Sequence, residues 1–367
     1  MFVGLPVIIG WAFICFAKSF TMIIIGRVIT GLSVGIITSS APSYVSNIVT
    51  PSTRSFLGTC FQLILCAGQL FLFAFGCFLE WNHLSYVGMA PAILCFIGLF
   101  FYGVESPFEL FENGNEKVAY DVLKLIRHPD SDIDDEIIEL KTRIEQNKQM
   151  LEKNSSIITT FKRNDVWKPT LITVMMMFFQ QFSGINAIFF NLTSIFKESG
   201  SSMNENVSAL LVSVALVTAT FVSGLIMDRF GRKILLIISG LGHVITLIIM
   251  GLYYFMNSSA GWIPVVCLML FVIVFSLGYG PIPWMIASEI TPTEAKPIVS
   301  SIGSTANWLC VFLTTKFFIS IQESFKPYGA YWMFSSFSAI SIVYVYFFVP
   351  ETKKKSIRDI QNYFLSK

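Results

Sequence analysis

Three amides fall within seven residues of one apolar stretch, MMMFFQQFSGINAIFFN: Gln180 and Gln181, then Asn186 after Ser183-Gly184. A carboxamide donates and accepts hydrogen bonds at once. It can therefore meet the hydroxyls of a neutral polyol, which also do both, without the far larger desolvation penalty of a charge. The same side chains bond helix to helix in membranes, so residue type leaves substrate contact and interhelical bonding both open. Downstream, GYGPIPWMIASE sets Gly278, Gly280, Pro281 and Pro283 just before Trp284. Pro removes a backbone donor and kinks a helix, and such a break at membrane depth is tolerated only where protein or a water-filled cavity covers it. An indole beside the break offers a flat apolar face to the C–H side of a pyranose ring, and Trp308, next to Asn307, offers a second. Anchoring at a membrane interface is the other use of either Trp, although both sit nearer the interior of their apolar runs than the ends.

Little else in the chain suggests chemistry. The seven cysteines (15, 60, 66, 77, 95, 267 and 310) all lie in apolar runs, with no CxxC and no His at ligand spacing, and read as small buried hydrophobes. His243, among Gly240, Gly242 and apolar neighbours, reads as a packing residue. No GxGxxG, Walker sequence, HExxH or Ser/His/Asp cluster is present, so no enzyme activity, cofactor or metal is expected. A net charge of +2 without a basic stripe and interleaved aromatics points away from nucleic acid. Two cations lie inside apolar runs. Arg27 needs a carboxylate or backbone carbonyls, and no acid stands in its run or the one before; Lys316 is close enough to the end of its run to snorkel.

The elements that must position these residues follow from composition. A chain of 367 residues that is 54% hydrophobic and 13% charged is too apolar for a water-soluble surface, so the lipid bilayer is its solvent. Ten apolar runs, near 2–17, 22–46, 56–79, 85–104, 167–190, 206–227, 234–256, 262–287, 298–322 and 328–349, are each long enough for a transmembrane helix. The first opens at Met1 with neither a basic leader nor a small-residue cleavage site, which argues against a signal peptide and for a start inside a longer protein. The chain thus divides into an incomplete four-span half (1–104), a polar helical linker (105–166), a six-span half (167–349) and a tail (350–367). Within the linker Ile133, Ile137, Leu140 and Ile144 mark one face of an amphipathic helix, and a shorter helix is predicted over Lys117 to Ile126.

Basic residues set the orientation. Arg54, ten between Lys117 and Lys168, Arg229, Arg232, Lys233, Lys296 and those of the tail fall on one side; only Lys18, Lys197 and Lys326 fall on the other. Both termini are therefore expected in the cytoplasm of a multi-pass cell-membrane protein. Asn206-Val-Ser and Asn257-Ser-Ser, on the outer side, are possible glycosylation sites, whereas Asn154-Ser-Ser should stay bare.

Five motifs in order, QQFSGINAIFF, DRFGRK, GPIPWMIASEI, the Asn307-Trp308 pair and the terminal PETKKK, resemble the sugar porter branch of the major facilitator superfamily, in the style of insect facilitated trehalose transporters and related glucose carriers. The resemblance covers nearly the whole chain and implies an all-α membrane protein with family helices 3 to 12, the first two being absent. Thr38, Gln62, Gln180, Gln181, Asn186, Trp284, Asn307 and Trp308 stand where the family contacts sugar or lines its cavity. Arg54, Glu105, Asp228, Arg229, Arg232, Glu289 and Lys296 stand where it builds a cytoplasmic charge network that biases the outward-open state. Arg27 matches a position that proton symporters pair with an acid on the first helix.

Some positions depart from the family pattern. Asn47 replaces the usual Glu after the YxS turn, Phe108 the Arg after the PESP-like element and Pro297 a Gly. Phe190-Asn191 replaces the outer aromatic pair, and Leu216 stands where the eighth family helix often bears an amide. The function implied is facilitated transport of trehalose or a hexose such as glucose. The alternatives are a proton-coupled symporter, a nutrient sensor, against which the short tail argues, or a truncated fragment. Two spans short, the chain alone is expected not to transport at a family-like rate.

Overall fold

In hydrocarbon only intrahelical bonding satisfies every backbone N–H and C=O of an isolated segment, so long apolar runs must fold as helices. The computed structural model describes residues 4–48, 54–128, 133–134, 136–138, 140–142, 144–145, 163–198, 204–292, 295–353, 355, 360 and 364; the side chains of 39, 42, 43, 46, 47, 54–59 and 228 lie outside that description. Its elements are α1 (Gly4–Cys15), α2 (Phe20–Ile48), α3 (Arg54–Gly76), α4 (Trp81–Tyr102), α5 (Pro107–Glu112), α6 (Glu116–Ile126), α7 (Asn164–Phe182), α8 (Ile185–Phe190), α9 (Leu192–Glu198), α10 (Glu205–Phe230), α11 (Arg232–Phe255), α12 (Trp262–Leu277), α13 (Ile282–Glu289) and α14 (Lys296–Phe348). No strand occurs among the described residues.

Seven helical stretches are long and apolar enough to cross a bilayer, and Gly4–Cys15 and Cys60–Gly76 are shorter apolar helices. The last stretch, α14, is two helices run together across Lys326, whose φ of 62° and ψ of 164° are not helical. The expected ten runs thus each find a helix. Leu, Ile and Phe side chains such as Leu32, Ile64, Leu94 and Phe100 stand exposed, as a lipid-facing surface requires.

Contacts sort the chain into two compact units, one of Met1–Gly58 with Trp81–Arg163, the other of Thr59–Glu80 with Asn164–Lys367. This grouping cuts across the expected 1–104 half, because most of α3 goes with the second unit. Cys66 on α3 meets Thr220 on α10, and the ring of Phe73 lies 5.7 Å from that of Phe189.

In the first unit α1 lies against α2 and α4. The Tyr44 hydroxyl on α2 donates to the Val104 carbonyl just past α4 at 2.7 Å. The polar linker makes its own small core: Leu110, Phe111, Ala119, Leu123 and Ile144 are buried, with Ile133, Ile137 and Leu140 against them. The face marked by the spacing in the sequence is therefore the face that packs. Arg127 closes this cluster with a two-pronged pair to Glu136, 2.8 Å from Nε and 2.6 Å from Nη2, and its Nη1 donates to the Ile48 carbonyl at the end of α2. The short helix α5 was not expected; Pro107 in its first turn and Glu109 three residues after Ser106 are the start signals that could have revealed it.

In the second unit α11 lies against α12 and α14, α7 against α14, and α10 against α12. Buried hydroxyls bond back one turn, as Ser213 does to the Ala209 carbonyl and Thr314 to that of Cys310, both at 2.9 Å, which lets polar side chains enter an apolar core. His243 is buried among the rings of Phe271, Phe275 and Tyr279, in keeping with a packing role. Ile360 and Phe364 of the tail are buried in the same core, and Lys168 Nζ donates to the Phe364 carbonyl at 3.4 Å.

One expectation needs correction here. The stretch 167–190 is not a single helix. It divides at Gly184, whose φ of 89° is left-handed, and a Cβ there would lie 2.6 Å from the Phe334 ring. The α-helix stops because only glycine fits both the backbone angle and the neighbour. The second expected break is present: α12 ends at Leu277 and α13 begins at Ile282, with the Gly280 N–H turned back to the Phe275 carbonyl at 2.8 Å.

Candidate functional site

Four of the expected amides meet at these two breaks. Gln180, near the end of α7, donates from Nε2 to the carbonyls of Tyr279 (2.7 Å) and Gly280 (3.0 Å), which the α12–α13 break has freed from helical bonding. Its Oε1 accepts from Asn307 Nδ2 on α14 at 2.7 Å and from Gln181 Nε2 at 3.3 Å. All four hydrogen-bonding positions of Gln180 are filled. It is 3% exposed, and an open position at that depth would be costly.

The other amides are less occupied. Gln181 Nε2 also reaches Asn307 Oδ1 at 3.3 Å, and its Oε1 accepts from Asn186 Nδ2 at 2.7 Å. Asn307 spends its second N–H on the Met177 sulfur at 3.4 Å. Asn186, in the first turn of α8 and only half-buried, makes the single bond to Gln181 among the described residues. Among the described residues the open positions of this cluster are thus one N–H and the carbonyl oxygen of Asn186, with one lone pair each on Gln181 Oε1 and Asn307 Oδ1.

The remaining expected site residues are not drawn into it. Gln62 on α3 donates to Cys66 Sγ at 3.7 Å. Trp284 is half-buried in the first turn of α13. Trp308 is 41% exposed, because Asn307 beside it points inward to α7 and successive helical residues diverge around the axis. Thr38, in the other unit, donates to the Val34 carbonyl on its own helix at 2.9 Å, and Arg27 is exposed on α2.

Of the expected charge network, Arg232 and Glu289 form an ion pair at 3.0 Å. Glu289 also accepts from the Thr352 hydroxyl, so this buried guanidinium and its carboxylate are both held, as burial of charge demands. Arg229 takes part through its carbonyl, which accepts from Lys353 Nζ. Glu105 is exposed and Lys296 half-buried, while the side chains of Arg54 and Asp228 lie outside the described residues.

The residue that sequence reasoning missed is Glu351. Its Oε1 accepts the backbone N–H of Arg232 (3.1 Å) and of Lys353 (2.9 Å), and its Oε2 that of Lys233 (3.1 Å). A carboxylate thus caps the N-terminus of α11, where N–H groups lack helical partners. Burial tends to push this carboxyl up, but the N–H groups of Lys353, Arg232, Lys233 and Thr352 outweigh it and hold it below its ordinary value of 4.5. Gly231, with φ of 88°, leaves room for it: a Cβ there would lie 2.9 Å from Glu351 Oε2. An acid in PETKKK directly after a span, with Gly231-Arg232 opening another, was the available signal.

Residues 1–364 match the family model described as "Sugar (and other) transporter". The chain belongs to this sugar transporter family. It is 36% identical over 367 residues to the facilitated trehalose transporter Tret1 of Apis mellifera ligustica, covering 98% of this chain and 72% of that one. To Tret1 of Culex quinquefasciatus it is 35% identical, covering 97% and 69%; of the Anopheles gambiae Tret1 it covers 45%. Among solved structures it is similar to the major facilitator proton:xylose symporter XylE bound to 6-bromo-6-deoxy-D-glucose, with a TM-score of 0.83 at 22% identity over 99% of this chain and 82% of that one. The protein is a multi-pass membrane sugar transporter with the major facilitator fold, and transporters of this family are not enzymes.

Proposed function

We propose that the chain carries trehalose or a hexose such as glucose across the cell membrane by facilitated alternating access, with both termini in the cytoplasm. The observation that supports this reading best is the uneven filling of the amide cluster. Gln180 is saturated and clamps the α12–α13 break, while Asn186 and Gln181 Oε1 keep donor and acceptor positions for hydroxyls. Asn307 orients both glutamines from α14. Gln62, Trp284 and Trp308 are proposed as further sugar contacts within the same unit, and Thr38 as a sugar-facing residue of the other. The relatives named facilitated trehalose transporters support the substrate class.

The charge cluster of Arg232, Glu289 and Glu351 is proposed to act as a latch that biases one state, and Arg54, Glu105, Asp228, Arg229 and Lys296 are proposed to serve the same bias.

The test is uptake of radiolabelled trehalose and D-glucose into proteoliposomes, by this chain and by a form joined behind the first two spans of a twelve-span relative. Saturable uptake is expected to fall about tenfold or more in Gln181→Ala and Asn186→Ala, since truncation removes a bond and leaves its buried partner open. Uptake unchanged in both variants would assign the amides to packing. An initial rate driven by an inward proton gradient would replace uniport with symport.

A further inference from the structure

Gln62 stands one turn before Cys66 on α3, in the part of that helix that belongs to the second unit. Gln62 Nε2 lies 3.7 Å from Cys66 Sγ, within reach of an N–H···S bond, and the sulfur lies 3.6 Å from Thr220 Oγ1 on α10. Thr220 in turn reaches the Leu216 carbonyl at 2.7 Å and Ser276 Oγ on α12 at 3.1 Å. Ser276 ends the chain on the Val272 carbonyl at 2.9 Å. One Gln62 N–H goes to the sulfur, and because the threonine O–H has the Leu216 carbonyl, the Cys66 S–H has the threonine oxygen as acceptor.

This arrangement is selective in what it leaves open. Cys66 is 2% exposed and Thr220 1%, whereas Gln62 is half-buried. The thiol holds one N–H of the carboxamide, while the other N–H and the carbonyl oxygen have no partner among the described bonds. Leu216, where a helix in this position could have borne an amide of its own, contributes only its backbone carbonyl. The other six cysteines have no comparable side-chain partners on a second helix among the described bonds; Cys77, for example, bonds to the Phe73 carbonyl of its own helix.

We infer that Cys66 is a positioning residue for sugar recognition: through the bonds to Gln62 and Thr220 it fixes which end of the Gln62 carboxamide faces the substrate. The inference rests on the proposed sugar cavity. It makes Gln62 primarily an acceptor for a sugar hydroxyl, with its orientation set from α10. Loss of the thiol frees the amide to rotate, which lowers affinity without slowing the conformational cycle.

The test measures Kd for D-glucose and trehalose by binding to this chain in detergent, and KM and kcat in proteoliposomes with the form joined behind the first two spans of a twelve-span relative. Cys66→Ala should raise KM and Kd about fivefold, the effect of one ordinary hydrogen bond, with kcat within about twofold. Cys66→Ser, which still accepts and donates, should restore affinity. Cys66→Val, which fills the space without bonding, should behave as Cys66→Ala does and guards against collapse of the Ala variant. Thr220→Val should shift KM in the same direction. Equal affinities for the Ser, Val and Ala variants, or a change in kcat alone, would overturn the inference. Gln62→Ala separates the two levels: if it weakens binding and Cys66→Ala does not, only the positioning role fails; if it leaves binding unchanged, the sugar reading of this cavity fails with it.

Discussion

Glu351→Ala removes a cap that joins the tail to α11. Three backbone N–H groups lose their acceptor, those of Arg232 and Lys233 at the helix start and that of Lys353 in the tail. Removing a helix N-cap costs about 0.5–2 kcal/mol, and bonds to a charged group are worth about 1.5–3 kcal/mol each when fully withdrawn from water. The carboxylate is half-buried, so water replaces part of the loss and about 2 kcal/mol is expected. For a unit of this size that is a fall of about 4–8 °C in melting temperature. Glu351→Gln keeps one acceptor oxygen and should lose about half as much.

The pH dependence follows from the sign of the shift. The folded carboxyl lies below its ordinary value of 4.5, so its contribution is fully present above that value and is lost as pH falls through the folded one. Melting of purified protein in detergent, followed by tryptophan fluorescence, should show a constant gap between wild type and Glu351→Ala from pH 7 to about 5 and a narrowing gap below. An unchanged melting temperature at pH 7, or a gap that persists undiminished in acid, would refute the capping role.

Gly184→Ala forces a left-handed backbone and a clash with Phe334; about 1–3 kcal/mol of destabilisation is expected by thermal melting, with weakened D-glucose binding, and a neutral outcome would show that the break does not need glycine. Arg127→Ala removes the pair to Glu136 and the bond to the Ile48 carbonyl, so limited proteolysis should cut the 106–145 segment faster, while an unaltered digestion rate would mean that the linker holds without it. Under the proposed orientation glycan should be found at Asn257 in preference to Asn206. Asn257 is exposed, whereas Asn206 is half-buried in the first turn of α10 and the hydroxyl of its sequon Ser208 is bonded to the Asn204 carbonyl. A mass shift reversed by endoglycosidase at Asn154 would instead invert the topology.

Length and composition by themselves determined that the chain is a bundle of membrane helices, because apolar runs of this size have no other way to satisfy their backbone in lipid. They also marked the amphipathic face of the linker, since Ile133, Ile137, Leu140 and Ile144 follow the helical period. Pro281 and Pro283 announced the break before Trp284, as a missing N–H is a local property of the residue. What a residue bonds to across the bundle is not local, and there the sequence was silent. Gln180, Gln181 and Asn186 read as equivalent amides; only the tertiary structure, by setting Tyr279, Gly280 and Asn307 around them, saturated one and left another open. Cys66 read as a small hydrophobe until Thr220, 154 positions away, supplied its partner. Glu351 read as tail charge until the first turn of α11 was found beneath it. Spacing along one helix sets which side chains share a face, but hydrogen bonds are lost within an ångström of misplacement, and that placement is decided by how the helices meet.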